Sequence, residues 1–343
     1  MSAASNRTYR GVPVKYRSRS LAVAVGAVSL AASLVACGSA QSAGVNEDGQ
    51  KQLIVGSMPS NSLAFPYTVA REQGFFADEG IVTETVDAKT GPELTATLIG
   101  GSTQIAVGTP ENVMSAMDQG QDLVAIAPFG KIDMQLVVPA QSGITDFKQL
   151  EGKQLGVVQR GSFAEKFARA VLAENGVDPE SVTYVAVGSG ATMEPALRAG
   201  KIDAVVATGS SVVLVRSHGL DVKTMVNTMD GTNTKLGDYA LQTFWGVTGA
   251  FKKANPEAVL GFCKAMNRAA AWIRDDANRA TGVASLGKLL DVTPEAAEQI
   301  WDSTNQSWSP SVTAEQWGKN VEWILGEGST SLPYADRVDS SCQ

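Results

Sequence analysis

The sequence predicts an α/β protein made of two similar three-layer lobes joined by two crossing strands. Short apolar strands alternate with amphipathic helices and short loops, a pattern that specifies largely parallel sheets. One unit is used twice. LIGGSTQIAVGT (residues 98–109) aligns without gaps with LRAGKIDAVVAT (residues 197–208), matching Leu98 to Leu197, Gly101 to Gly200, Val107 to Val206 and Thr109 to Thr208. Two copies about 100 residues apart point to paired lobes rather than to a solenoid, which needs at least three short repeats. The apolar stretch ALQTFWGVTGAF (residues 240–251) follows the second copy and is expected to return to the first lobe, so the hinge has two strands.

Element by element, QLIVGS (residues 52–57) reads as a buried strand. FPYTVAREQGFFADEG reads as a helix with Pro66 in its first turn and Gly74 as a stop. IVTETVDA (residues 81–88) alternates apolar and polar residues, as a strand does. Helix ELTATLIGG, strand TQIAVG, helix PENVMSAMDQG and strand LVAIAPF follow, and MQLVVPA (residues 134–140) is expected to close the first stretch of lobe 1. ITDFKQLEGKQLGVVQRGS then opens lobe 2. The expected boundaries are 52–139 and 245–343 for lobe 1 and 140–244 for lobe 2.

Residues 1–36 read as a leader. Arg7, Arg10, Lys15, Arg17 and Arg19 precede the uncharged run LAVAVGAVSLAASLVA, which is shorter than the roughly 20 apolar residues that span a bilayer. Leu34-Val35-Ala36-Cys37 resembles the lipobox of bacterial lipoproteins, which implies a diacylglycerol thioether on Cys37 and an extracytoplasmic protein anchored to the cell membrane. Residues 37–51 then form a polar, Gly-bearing tether. Loss of the five basic residues before Cys37 leaves 23 basic against 35 acidic side chains, or −12, which argues against nucleic-acid binding. Cys263 lies on the apolar face of PEAVLGFCKAMNRAAAWIRDD. Outside the cytoplasm it either pairs with Cys342 or stays a buried thiol.

Three groups of residues carry a family resemblance. They are Pro66-x₃-Ala70-x₃-Gly74-Phe75-Phe76-x₃-Gly80-Ile81; Leu150-Glu151-Gly152-Lys153 with Gly156-Val157 and Arg160-Gly161-Ser162; and Leu197-x₂-Gly200-Lys201-Ile202-Asp203-Ala204. Over residues 52–340 the chain resembles the solute-binding proteins of ABC importers for sulfonates, taurine, nitrate and thiamine precursors. The resemblance implies a type II periplasmic binding protein-like fold, a small-molecule ligand captured by two-lobe closure, ABC permease partners and a monomer. Gln104 stands where the family usually has an Asp, a structural position.

In open α/β sheets ligands sit beyond the carboxyl ends of the strands, where loops lead into helix N-termini. The rule selects MPSNSLAFP (residues 58–66), GTPEN (108–112), QRGSF (159–163), GSGAT (188–192) and ATGSS (207–211), and with them Ser60, Asn61, Thr109, Gly161, Ser189 and Thr208. Ser162 opens a helix, where its hydroxyl either meets an oxyanion or caps the helix; Arg160 either forks onto that anion or lies in solvent. Glu111 either complements its helix dipole or lines the cleft and favours a cationic ligand. Phe65, Phe129, Phe163 and Trp245 either wall an apolar part of the ligand or belong to the core; Trp245 stands out because crossing strands floor such clefts.

Catalysis finds little support. His218 is the only histidine, and no HExxH, GxSxG or P-loop motif is present, so neither a metal nor a cofactor is expected. A thiamine-precursor (pyrimidine) binding protein or a pyrimidine synthase-like enzyme on the same fold are the alternatives, and a receptor feeding a signalling partner is a third. Ligand identity stays open at this point.

Overall fold

The computed structural model describes residues 43–58, 62–88 and 90–343; the leader, Cys37, Ser60 and Asn61 lie outside the described residues. Its strands are β1 (Gly44–Val45), β2 (Lys51–Ser57), β3 (Ile81–Asp87), β4 (Ile105–Gly108), β5 (Leu123–Lys131), β6 (Met134–Pro139), β7 (Gln154–Val157), β8 (Thr183–Ala186), β9 (Ala204–Thr208), β10 (Val222–Asn227), β11 (Leu241–Thr248) and β12 (Trp308–Ser309). The helices before the second crossing are α1 (Phe65–Glu72), α2 (Phe75–Asp78), α3 (Gly91–Ile99), α4 (Pro110–Asp118), α5 (Phe163–Glu174), α6 (Glu194–Arg198) and α7 (Gly209–Ser217). After it come α8 (Gly249–Ala254), α9 (Pro256–Arg274), α10 (Arg279–Leu290), α11 (Pro294–Thr304), α12 (Ala314–Leu325) and α13 (Tyr334–Arg337).

The strands form two sheets with one plan. The central order of the first is β3-β2-β4-β11-β5, extended by β1 on β2 and β12 on β5, and that of the second is β8-β7-β9-β6-β10. In the first sheet β2 runs parallel to β3 and β4, while β11 is antiparallel to β4 and β5. In the second, β7 runs parallel to β8 and β9, and β6 is antiparallel to β9 and β10. This is the periplasmic binding protein fold.

The sequence echo is therefore structural down to single side chains. Asp203 accepts the Gln154 N–H at 2.9 Å before β9, and Gln104 accepts the Ile54 N–H at 2.8 Å before β4. An amide oxygen thus replaces a carboxylate oxygen at the same backbone bond, which explains why Gln104 is tolerated.

Each sheet receives its antiparallel strand from the other lobe. The two crossings, β5 to β6 and β10 to β11, hydrogen-bond to one another. Ile132 N–H donates to the Ala240 carbonyl at 3.1 Å, and Thr228 N–H to that of Met134 at 3.1 Å. Strand membership moves the expected boundaries. Residues 134–139 pair with the second sheet and 241–244 with the first, and the charged residues of the β5–β6 stretch, Lys131 and Asp133, fall before β6 rather than after residue 139. A boundary after residue 139 had no polar break to mark it.

The helices after the second crossing cover the first sheet. α9 begins at Pro256 and turns Val259, Phe262, Cys263, Met266, Ala270 and Ile273 inward. Its Phe262 meets Trp245 edge-on with ring centroids 5.2 Å apart. Cys263 and Cys342 form a disulfide that ties α9 to the end of the chain. No helix among the described residues is long and apolar enough to cross a membrane.

Candidate ligand-binding cleft

A cleft of about 430 Å³ lies where the carboxyl ends of the parallel strands of both sheets deliver their loops. The first sheet contributes Met58 and Ser62 after β2, Thr90 after β3, and Thr109 and Asn112 after β4. The second contributes Gln159 and Ser162 after β7, Ser189 after β8, and Thr208 and Ser211 after β9. Met134 and Gln242, one from each crossing, complete the floor. Its described lining residues carry no carboxylate.

Four helices, α3, α4, α5 and α7, aim their N-termini at this space, and each supplies positive partial charge there. They are not equally available. Thr90 accepts the Glu93 N–H at 3.3 Å and Thr208 accepts that of Ser211 at 3.2 Å, so α3 and α7 are capped by their own side chains. The buried Asp133 between β5 and β6 also accepts the Gly209 N–H at 3.2 Å, and burial pushes its carboxyl up to about 6 against that bond. In α4, Thr109 accepts instead from the Asn112 amide at 2.7 Å, and Pro110 has no N–H to give. Ser162 occupies the N-cap position of α5 without capping it, and its buried hydroxyl has no partner within the protein.

The two lobes also touch. Lys166 of α5 donates to the Ile324 carbonyl at the end of α12 at 2.7 Å, and Phe163 meets Trp323 edge-on at 5.3 Å. Ser62 and Ser210 hydroxyls approach to 3.3 Å. Glu111, from the first turn of α4, interacts with the Phe163 N–H and with Lys166. Burial outweighs both and raises its carboxyl to about 7, and one of its buried oxygens has no hydrogen-bond partner. Burial likewise lowers the Lys166 ammonium, against the pull of Glu111.

Comparison with known proteins settles the family. Residues 61–280 match the family described as NMT1/THI5 like. The chain belongs to that family. A 4-amino-5-hydroxymethyl-2-methylpyrimidine phosphate synthase of Schizosaccharomyces pombe is 25% identical over 142 residues, which span 40% of this chain and only 39% of that relative. The alkanesulfonate-binding protein SsuA from Xanthomonas axonopodis pv. citri, solved bound to MOPS, superposes with a TM-score of 0.68 at 18% identity, over 84% of this chain and 98% of that one. The periplasmic nitrate-binding protein NrtA from Synechocystis PCC 6803 gives 0.64 at 14% identity, over 80% of each chain.

In this member of the NMT1/THI5-like family, Thr109, Ser162, Phe163, Ser189 and Thr208 share the cleft, whereas other expected site residues do not. Arg160 faces away. Its Nε sits 3.0 Å from Glu165, its guanidinium lies over the Tyr184 ring, and its side chain is 60% exposed. Burial alone would raise the Glu165 carboxyl, but the Gly161 N–H, Arg169 and Arg160 bring it below its ordinary value. A carboxylate one turn into the helix therefore captures the arginine first. Gly161 is spent on the same carboxylate, donating its N–H at 2.9 Å. Glu111 is absent from the cleft lining and instead turns toward the first turn of α5.

All four aromatic candidates are buried, and only Phe163 also lines the cleft. Phe65 is 0% exposed against Trp301 and Trp308, Phe129 is 1% exposed beside Phe244, and Trp245 is 1% exposed between Tyr67 and Phe262. The crossing strand does floor the cleft, but through Gln242; Trp245 lies three residues further into the first sheet.

Some cleft residues escaped the sequence. Thr90 was within reach, because the Thr-Gly-Pro start of α3 follows a parallel strand like the five loops selected. Leu290, Val292 and Ile300 had no such signal, since they come from a helical hairpin and not from a strand end.

Proposed function

We propose that this chain is the extracytoplasmic solute-binding component of an ABC importer, closing its two lobes over a small solute with an anionic or acceptor-rich end. The observation that carries the reading is one cleft shared by both sheets, into which four helix N-termini and a row of hydroxyls point and no described carboxylate intrudes. Such a field favours acceptors and disfavours cations. The lobes are the two sheets with their helices, and the paired crossings are the hinge, so a ligand held by both lobes shifts the open–closed equilibrium toward closure.

The resemblance to a pyrimidine phosphate synthase raises an enzyme reading, and the side chains favour binding over it. His218 pairs with Glu194 at 2.6 Å at the end of α7, and Cys263 and Cys342 are joined to each other. The lining offers hydroxyls and amides, which hold a ligand without activating it.

A thermal-shift screen over alkanesulfonates, taurine, nitrate, aromatic carboxylates and pyrimidines tests the proposal. A probe at 100 times its Kd adds about 2.7 kcal/mol of stability. No shift from any class would count against a binding protein of this kind.

Membrane attachment through Cys37 belongs to the same proposal and rests on the basic, apolar and small-residue segments before it. Cys37→Ser is expected to leave the chain uncleaved or shed into the medium. A mature variant that still fractionates with the membrane would sink the anchor.

A further inference from the structure

The cleft has a second chemical half. Leu290 closes α10, Val292 follows it in the turn to α11, and Leu214 of α7 lines the same cleft from the second lobe. The turn is held in place from both sides. Asp291 adopts a left-handed conformation with φ of 55°, Val292 N–H donates to the Gly287 carbonyl at 3.1 Å, and Thr293 caps α11 by accepting the Ala296 N–H at 3.3 Å. Below it Ile300 is fully buried, and Trp301 packs against Gly282 so closely that an added Cβ would meet its ring at 2.0 Å. A rigid apolar wall thus faces a row of hydroxyls.

The family match ends at residue 280, so this turn lies beyond the matched residues. A cleft of about 430 Å³ also falls in the range that encloses organic ligands, and a bare oxyanion would leave most of it to water. We infer that Leu290 and Val292 are specificity-determining residues, selecting an organic solute whose acceptor end meets the helix N-termini and whose apolar body lies against the α10–α11 turn. The inference rests on the binding-protein reading and adds a substrate class to it.

Calorimetric titration with two homologous series tests it: methane-, butane- and hexanesulfonate, and acetate, butyrate and hexanoate. Each added methylene buried against the wall is expected to tighten binding about fourfold in at least one series, the equivalent of about 0.8 kcal/mol. Val292→Thr keeps the side-chain shape and adds a hydroxyl. It is expected to flatten that length dependence, weakening the longest member more than the shortest. Leu290→Gln provides a second variant should the first lose its fold, with melting curves taken for both. Binding that is independent of chain length, or length dependence unchanged in both variants, overturns the wall and leaves the binding-protein reading standing. Failure of every member of both series to bind the parent chain overturns the wall as well, and the binding-protein reading falls with it only when the taurine, nitrate, aromatic and pyrimidine arms of the thermal-shift screen also give no shift.

Discussion

The two copies of the repeated unit share a backbone and differ in what stands at the end of the strand. After β9, Thr208 caps α7 with its side chain, and Asp133 reaches in from the β5–β6 crossing to take the Gly209 N–H. After β4, Thr109 caps nothing, Pro110 has no N–H, and Glu111 leaves its own helix for the first turn of α5 in the other lobe. The comparison shows that a helix N-terminus at a cleft is not in itself a binding site. Its charge is available only where the protein has not already used it. At α5 the Phe163 N–H already meets Glu111 and the Gly161 N–H meets Glu165, so what stays available there is the Ser162 hydroxyl, which is buried, faces the cleft and caps no helix.

Glu111 offers the larger test of this contrast. Its folded value of about 7 lies above the ordinary 4.5, so between those values the folded chain holds a proton that the unfolded chain has lost. Stability must then fall as pH rises from about 4.5 to 7 and level off above. The slope is at most about 1.4 kcal/mol per pH unit and less for a partly exposed group. Asp133, raised to about 6 from 3.8, gives the same sign in a lower window, so Glu111 supplies most of the slope between pH 6 and 7. Denaturant titrations of Glu111→Gln are expected to flatten the slope in that window. An unchanged slope would remove Glu111 from the lobe contact.

The paired threonines give the smaller effect. Thr208→Ala should lower stability by about 1 kcal/mol through loss of its cap, while Thr109→Ala should cost clearly less, because its hydroxyl serves only Asn112. Equal losses in melting experiments would mean that the two turns are energetically alike and that the contrast lies only in geometry.

The fold was legible in the sequence because its signals are local. Strand alternation, Pro66 and Pro110 at helix starts, and the echo of residues 98–109 in 197–208 each depend on neighbours in the chain. The loops of the cleft were legible for the same reason, through the position of loops after parallel strands. Side-chain direction was not. Arg160 reads equally as a fork onto an anion or as a solvent residue, and it is held by Glu165 instead, a partner that spacing alone does not select. Phe65, Phe129 and Trp245 occupy loop and strand positions compatible with either a cleft or a core, and packing against Trp301, Phe244 and Phe262 decides for the core. The α10–α11 wall left no trace, because it reaches the cleft only through tertiary packing.

The central claim is that the unpartnered Ser162 hydroxyl at the start of α5 holds the acceptor end of the ligand. Calorimetric titration of Ser162→Ala, with the tightest anionic probe from the screen, tests it most directly. Loss of one hydrogen bond to a charged group removes about 1.5–3 kcal/mol, so Kd should rise ten- to over a hundred-fold. The melting temperature of the unliganded chain should stay close to the parent's, because the hydroxyl caps nothing. An unchanged Kd would contradict the claim, and an unchanged Kd with a lowered melting temperature would make Ser162 a structural residue.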